Sequence, residues 1–222
     1  MVNVLDKVQP KNKAQLKSLI DHAFKHNIYD LNFIDTSKIT NMSNLFMNCE
    51  YDIDVSNWDV SNVTTTFCMF VGCKKFNSDL SNWDVSNVKN MNNMFYCCKN
   101  FDCDLSNWNV SNVTDMYSMF TACENFKGKG LDNWDVSKAE DMRFMFYNCK
   151  NFNCDLSNWD MSKALRINEM FYGCKNFEGK GLENWKLEKT LFYYDIFTGC
   201  DKVKLPSWYK AFLKRCNLEF FK

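Results

Sequence analysis

The sequence predicts an α/β repeat protein, a solenoid in which each coil contributes one short parallel strand and one short helix or turn. Two observations support this prediction. The tryptophans recur at a step of 25 or 26 residues that shortens at the last one, at positions 58, 83, 108, 134, 159, 185 and 208. The block Leu-Ser-Asn-Trp also returns unchanged at residues 80–83, 105–108 and 156–159. A fixed period of this length is typical of solenoids, in which each unit buries its apolar face against its neighbours.

The predicted strand of each coil contains the tryptophan. Leu80, Trp83 and Val85 follow the spacing L-x-x-L-x-L, which is the strand segment of leucine-rich repeats. Trp83 and Val85 would share one face of that strand, while Asn82 and Asp84 would point the other way, because side chains alternate along a strand. Parallel strands joined by crossovers follow a right-handed path, so we expect a right-handed solenoid resembling leucine-rich repeats.

The stretch after the predicted strand changes its periodicity. Its apolar residues are spaced 3, 3, 1 and 3 apart, which is the stripe of a short helix: Val88, Met91, Met94, Phe95 and Cys98. Ser86 or Asn87 stands where the N-cap of such a helix belongs. A turn in place of some helices is the alternative, because helices of about ten residues are marginal without packing.

Equivalent positions in successive coils predict columns of identical side chains in the core. The structural core is assigned to the tryptophan column, Trp58, Trp83, Trp108, Trp134, Trp159 and Trp185. One cysteine per coil is expected to pack as a small buried hydrophobe rather than to form a disulfide. These cysteines are Cys49, Cys73, Cys98, Cys123, Cys149, Cys174 and Cys200.

The two ends of the chain differ from the middle, as the ends of a solenoid should. We assign residues 1–30 to an N-terminal capping helix, residues 31–205 to a solenoid of about seven coils, and residues 206–222 to a C-terminal cap. The first cap has the apolar stripe of an amphipathic helix: Leu16, Leu19, Ile20, Ala23 and Phe24. Pro206 suits a first helical turn. Apolar residues follow it at Trp208, Phe212, Leu213, Leu218, Phe220 and Phe221.

The composition excludes some classes of partner. Lysine and arginine number 27, against 27 aspartate and glutamate residues, so neither a nucleic-acid surface nor a polybasic membrane patch is expected. No segment approaches the roughly 18 to 20 apolar residues of a membrane span, and the first residues lack the apolar run of a secretory signal. The sequence therefore predicts a cytoplasmic protein, with a cell-surface or virion location as the alternative.

A row of polar residues follows the tryptophans on the outward face of the predicted strands. The candidate partner-binding residues are Asp59, Asp84, Asn109, Asp135 and Asp160. Stacked carboxylates repel, so their charge must be compensated. Three interpretations remain open: local backbone N–H groups bond each carboxylate, a row of calcium ions binds there, or the row recognises a basic protein partner.

The sequence contains no recognisable catalytic or cofactor motif. The cysteines lack the paired C-x-x-C spacing of a zinc site, and His22 and His26 lack a third ligand nearby. Neither histidine lies in a repeat, and no glycine-rich phosphate loop is present. We therefore predict no catalytic residues, no metal and no cofactor, and we expect that the protein is not an enzyme.

The repeat resembles that of a known family. The segment Asp35-Thr36-Ser37-Lys38-Ile39-Thr40-Asn41-Met42-Ser43-Asn44-Leu45-Phe46, followed by units such as residues 79–88, is similar to the BspA-like leucine-rich-repeat surface proteins. The resemblance covers nearly the whole chain. It implies a leucine-rich-repeat solenoid that binds proteins, often at a cell surface, and it carries no catalytic residues.

The predicted function is non-catalytic. The solenoid would present the polar row as an extended surface for protein–protein recognition, with a protein partner whose identity the sequence does not reveal. The alternative is a structural or assembly component, such as a scaffold associated with a virion or an envelope.

Overall fold

The computed structural model describes residues 7–216. It contains two α-helices, α1 at Lys13–Lys25 and α2 at Ser207–Arg215, and two short 3₁₀ helices at Leu131–Asn133 and Leu182–Asn184. Between α1 and α2 the chain winds through coils built from turns, and each coil lies against the coil about 25 residues further on. The apolar side chains of all coils merge into one continuous core.

The predicted strands are absent from residues 7–216, so the prediction of a leucine-rich-repeat solenoid with one strand per coil is wrong. Successive coils pair through isolated parallel bridges of a single residue each, such as Asn90 with Asp115. The segment read as a strand is a turn instead, because the N–H of Trp83 donates to the carbonyl oxygen of Leu80, 3.1 Å away. The turn buries Leu80, Trp83 and Val85, which are spaced three and two residues apart, as a strand would have done.

The predicted helix after each tryptophan is also wrong. Helical hydrogen bonds would join residues four apart, but the N–H of Met94 donates to Met91 and that of Cys98 donates to Phe95, three residues back. Asn93 and Cys97 have φ of 55° and 60°, in the left-handed region that interrupts a helix. Ser86 and Asn87 therefore cap no helix. These turns nevertheless direct the predicted apolar stripe into the core.

Backbone hydrogen bonds join these turns into what we call the turn ladder. Its seven segments are residues 41–48, 65–72, 90–97, 115–122, 141–148, 166–173 and 192–199. In each of the first six segments, four N–H groups at alternate residues donate to carbonyl oxygens of the next segment. In the third segment the donors are Met91, Asn93, Phe95 and Cys97, which bond Asp115, Tyr117, Met119 and Thr121 over 2.7–3.0 Å.

Two left-handed residues in each ladder segment explain why no strand forms. They lie four residues apart, as Asn93 and Cys97 do, and they recur in every segment as the second and fourth donors. A strand needs consecutive extended residues, whereas a left-handed residue turns the chain, so extended pairing stops after one bridge. The ladder thus keeps its hydrogen bonds between coils without β conformation.

The core is formed by columns of equivalent side chains. Trp58, Trp83, Trp108, Trp134, Trp159 and Trp185 are each at most 4% exposed. Each indole Nε1 donates to a backbone carbonyl of the preceding coil, as Trp108 does to Leu80. The Phe95 ring lies 5.6 Å from the equivalent ring of Phe120, nearly parallel to it.

The thiols of the cysteine column are unpaired and bond the backbone instead. All twelve cysteines are free. The Sγ of Cys123 lies 3.0 Å from the carbonyl oxygen of Phe95 in the preceding coil. The same contact, at 2.8–3.0 Å, recurs at Cys73, Cys98, Cys149, Cys174 and Cys200. The column therefore fills space and satisfies a backbone carbonyl in each coil.

The two α-helices lie at opposite ends of the stack. In α1, the side chain of Asn12 accepts the N–H of Gln15, and Leu16, Ile20 and Ala23 are buried. In α2, which begins after Pro206, Tyr209 is buried against Phe197. Leu218, Phe220 and Phe221, assigned above to the C-terminal cap, lie outside the described residues.

Candidate functional site

The candidate partner-binding residues lie in one row along the stack, here called the aspartate row: Asp59, Asp84, Asn109, Asp135 and Asp160. Each follows a buried tryptophan, and each is exposed. The row is straight because successive coils repeat the same backbone, so that each tryptophan anchors the next residue at an equivalent place on the surface. Four of these five coils thereby present a carboxylate to solvent, and the coil of Asn109 presents an amide.

Each row residue closes its own tight turn. The Oδ1 of Asp84 accepts the N–H of Ser86 over 3.0 Å, and the Oδ1 of Asn109 accepts the N–H of Ser111 over 3.1 Å. Such Asx turns need an acceptor oxygen but no charge, as Asn109 demonstrates. The structure therefore contains the local backbone bonds of the first interpretation, and the negative charge of the other four residues is not needed for the turn.

The pKa of Asp84, Asp135 and Asp160 lies below its ordinary value, so these aspartates of the row hold their charge at neutral pH. The hydroxyl and N–H groups of Ser86 lower the pKa of Asp84, and those of Ser137 lower the pKa of Asp135. At Asp135 the neighbouring carboxylate of Asp160 acts in the opposite direction but does not reverse the shift. Hydrogen bonds to the ionised form thus outweigh the repulsion along the row.

The second carboxylate oxygen of each aspartate points away from the turn. Within residues 7–216, no donor is hydrogen-bonded to Oδ2 of Asp59, Asp84, Asp135 or Asp160, and none of the four carboxylates forms an ion pair. The row therefore offers one carboxylate oxygen in each of four coils that is available to an incoming donor.

Exposed asparagines line the row on the other side of the tryptophans, at Asn57, Asn82, Asn107, Asn133 and Asn158. The Nδ2 of Asn107 donates to the carbonyl oxygen of Ser81 in the preceding coil. A hollow of about 620 Å³ is lined by Asn57, Asp59, Asn82 and Asp84, together with Lys7 near the start of the stack. A second hollow, of about 380 Å³, lies at Asn158 and Asp160 and has Lys186 at its edge.

A second set of aspartates resembles the row, and lysines neutralise two of its three members. Asp79, Asp104 and Asp155 each accept the N–H of the serine two residues on. Asp104 and Asp155 also pair with Lys129 and Lys180, at 2.7 and 2.6 Å, and these lysines are the main reason that their pKa falls to about 2. The aspartate row differs from Asp104 and Asp155 in that none of its carboxylates forms an ion pair within residues 7–216.

Sequence reasoning missed a charged cluster on the turn ladder. The carboxylate of Asp141 bonds Arg143 over 2.6 Å and lies 3.6 Å from Arg166. The Arg143 guanidinium is 4.9 Å from the centre of the Tyr117 ring. These residues belong to three different coils, and their side chains meet because the ladder holds the coils in register. The spacing of 25 residues could have indicated this, had the segment not been read as a helix.

The structure was also searched for metal sites and membrane spans. Among residues 7–216, no group of three or more His, Cys, Asp or Glu side chains is placed to hold a metal ion. Over the same residues, each helix is too short or too polar to cross a bilayer.

Comparison with known families identifies the repeat. A family described as "Mycoplasma protein of unknown function, DUF285" matches residues 14–130 and again residues 98–210. The chain belongs to the DUF285 family. The two DUF285 matches overlap and together run from α1 into α2, so the family covers the whole stack of coils. No curated protein matches the chain.

Membership of DUF285 assigns no activity. The relationship to BspA-like surface proteins stays a prediction, since the match is to DUF285 and the strands of a leucine-rich repeat are missing from residues 7–216. The absence of catalysis, the location and the recognition or assembly role are likewise predictions. The aspartate row is the surface on which we base a proposal.

Proposed function

We propose that the chain is a non-catalytic recognition protein that binds a basic protein partner along the aspartate row. One observation carries the proposal. Four exposed aspartates in register each have an Oδ2 that no donor within residues 7–216 bonds, while Oδ1 is held by the turn. Because the turn fixes Oδ1, the carboxylate loses little conformational freedom when Oδ2 binds. Oδ2 is therefore well suited to accept a hydrogen bond from lysine or arginine.

The charge pattern favours a partner with several cations in an extended arrangement. A single surface ion pair contributes about 0–1 kcal/mol, so one aspartate alone would bind weakly. Several aspartates together bind a rigid partner more tightly. A partner held at one aspartate loses no further translational and rotational freedom when it contacts the next. The hollows beside Asp59 and Asp160 provide additional depth for side chains.

The test removes the charge without removing the turn. In the triple variant Asp84→Asn, Asp135→Asn and Asp160→Asn, the amide oxygen keeps each Asx turn, as Asn109 does naturally. The matched control is Asp79→Asn, Asp104→Asn and Asp155→Asn, which changes the net charge equally and also keeps its turns. Unchanged melting temperatures would show that both variants fold.

Each immobilised protein is then used to capture binding partners from the source cells, and the captured proteins are identified by mass spectrometry. The proposal expects that the row variant loses a basic partner which the wild type and the control both retain. Asn109→Asp adds a charge at the centre of the row and should strengthen that capture. Identical captured sets for the row variant and the wild type would show that the row is not the binding surface.

A further inference from the structure

The last segment of the turn ladder differs from the six before it. Its four equivalent donors are the N–H groups of Tyr193, Asp195, Phe197 and Gly199. Among residues 7–216, none of these N–H groups donates to a backbone or side-chain acceptor. We call these four groups the open edge. Every earlier segment bonds its four donors to the following coil, so the open edge is a ladder without its next segment.

The backbone of the open edge already has the conformation that binds a following segment. Asp195 and Gly199 have φ of 52° and 75°, in the same left-handed positions as Glu169 and Gly173 one coil earlier. Glu169 and Gly173 donate to carbonyl oxygens over 3.1 and 2.8 Å. Asp195 and Gly199 are exposed, Tyr193 is half-buried and Phe197 is buried. Because their N–H groups already have the geometry of the ladder, they form a template for an extended chain.

A groove runs beside the open edge and supplies apolar contacts. It has a volume of about 1110 Å³ and lies between the edge and α2. Phe197 and Leu205 line the side of the coil, and Tyr209, Phe212 and Leu213 line the side of α2. In the interior of the stack a ring of the next coil covers each ladder phenylalanine, as Phe120 covers Phe95 at 5.6 Å. At the open edge the ring of Tyr209 from α2 covers Phe197 at 5.0 Å, and the groove lies beside this contact.

We propose that the open edge binds an extended peptide segment from another protein, in parallel register and with two adjacent large apolar residues. Carbonyl oxygens at alternate residues of that segment would accept the four N–H groups, and the apolar pair would enter the groove beside Tyr209, against Leu205 and Leu213. This surface is separate from the aspartate row, and the proposal does not depend on the function proposed above. The backbone of the occupant is defined by the ladder, since each interior segment presents the same four donors to its neighbour.

The probe is a synthetic peptide with the sequence of the first ladder segment, Thr-Asn-Met-Ser-Asn-Leu-Phe-Met-Asn, residues 40–48, blocked at both ends. It lacks cysteine and carries the apolar pair at Leu45 and Phe46. Its carbonyls at Asn41, Ser43, Leu45 and Met47 correspond to the four that accept ladder donors in later segments. The control peptide replaces Leu45 and Phe46 with serine, which keeps every carbonyl and removes the apolar contact.

Amide hydrogen exchange of the full chain, with and without peptide, gives the direct readout. We expect the N–H groups of residues 193, 195, 197 and 199 to exchange faster than those of 167, 169, 171 and 173 in the free chain, and to slow at least about tenfold with saturating peptide. The serine peptide should leave them unchanged. If the four amides are already as slow as their equivalents in the free chain, the edge is paired within the molecule and the proposal is wrong.

A pair of variants on α2 locates the binding site. Leu213→Asp places a charge in the groove, whereas Ala211→Asp makes the same change at an exposed position of the same helix. We expect Leu213→Asp to weaken peptide affinity at least about tenfold and Ala211→Asp to change it less than about twofold. Equal affinities, or protection that increases with protein concentration in the absence of peptide, would overturn the proposal; the latter would make a second copy the occupant.

Discussion

The indole Nε1 of Trp108 donates to the carbonyl oxygen of Leu80, 2.9 Å away in the preceding coil, and that same carbonyl also accepts the N–H of Trp83. One backbone oxygen thus closes the turn of its own coil and holds the aromatic core residue of the next. Because all seven tryptophans make this contact, burial of the core and alignment of the aspartate row have the same cause.

Two variants separate the contribution of the Trp108–Leu80 hydrogen bond to stability from that of the buried indole ring. Trp108→Phe removes the donor but keeps a ring, and we expect it to lower the free energy of unfolding by about 1–2 kcal/mol. Trp108→Ala also leaves a cavity and should cost about 3–5 kcal/mol. Calorimetry of both variants checks this ordering. A loss below about 1 kcal/mol for the alanine variant would contradict the burial of the column.

Gly130 marks a close approach between coils. Its φ is 89°, and a Cβ there would lie 2.2 Å from the backbone nitrogen of Ser106. Gly179 has a similar φ of 78°, but its Cβ would meet flexible side chains of Leu182 and Val203. We expect Gly179→Ala to cost about 1–2 kcal/mol for the left-handed backbone, and Gly130→Ala to cost about 1–3 kcal/mol more, because the backbone must move. Urea denaturation of the two variants gives the comparison, and equal losses would refute the steric argument.

Ala122 occupies a position where three other coils have glycine. Its φ is 58°, whereas Gly72, Gly173 and Gly199 take the same left-handed conformation without a Cβ. Ala122→Gly should therefore raise the free energy of unfolding by about 0.5–1 kcal/mol. Ala211→Gly, in the exposed face of α2, should lower the stability of that helix by about 1 kcal/mol. Thermal melts of both variants test whether the first gains stability and the second loses it. A loss of stability in both would argue against strain at Ala122.

The thiols predict how stability changes at alkaline pH. Burial raises the pKa of Cys103, Cys154 and Cys200 to about 12, whereas unfolded thiols ionise near about 8.5. The folded chain then holds more protons than the unfolded chain above that pH. Stability should be fully present below about pH 8.5 and fall as the pH rises toward about 12. Chemical denaturation at several pH values measures this slope, and a flat profile would contradict it.

The same burial predicts which cysteines react. Cys123, Cys149 and Cys174 are 0% exposed, and burial raises the pKa of each well above its ordinary value, whereas Cys216 is exposed. With iodoacetamide at about pH 8, we expect Cys216 to be alkylated first and the buried column to react at the rate of unfolding, because the thiolate is the nucleophile. Peptide mass mapping over time resolves the sites. Early alkylation of Cys123 would show that the column is open to solvent.

Some features of the core could be predicted from single coils. Trp83, Val85 and Phe95 are buried because their apolar surface must leave water, and this requirement holds for a strand, a helix or a turn. Asp84 lies on the surface for the converse reason. Residue burial was therefore predicted correctly at these positions, even though the backbone that produces it was not.

The backbone itself could not be predicted from the spacing. The stripe Met91, Met94, Phe95 and Cys98 fits a helix and fits two consecutive turns, and the left-handed Asn93 and Cys97 distinguish the two. Asparagine is a common left-handed residue, but cysteine is not, so the second turn has no local signal. Its conformation is held by the hydrogen bond from Cys97 to Thr121 in the next coil, 2.7 Å long.

The sequence by itself determined the period of the repeat, the columns of buried side chains and the polar row, because each depends on which residues avoid or seek water. The tertiary structure alone decided that the coils are built from turns and that the ladder has an open edge at residues 193–199. Those features depend on hydrogen bonds between residues about 25 positions apart, and a donor's partner at that distance exists only once the coils have stacked.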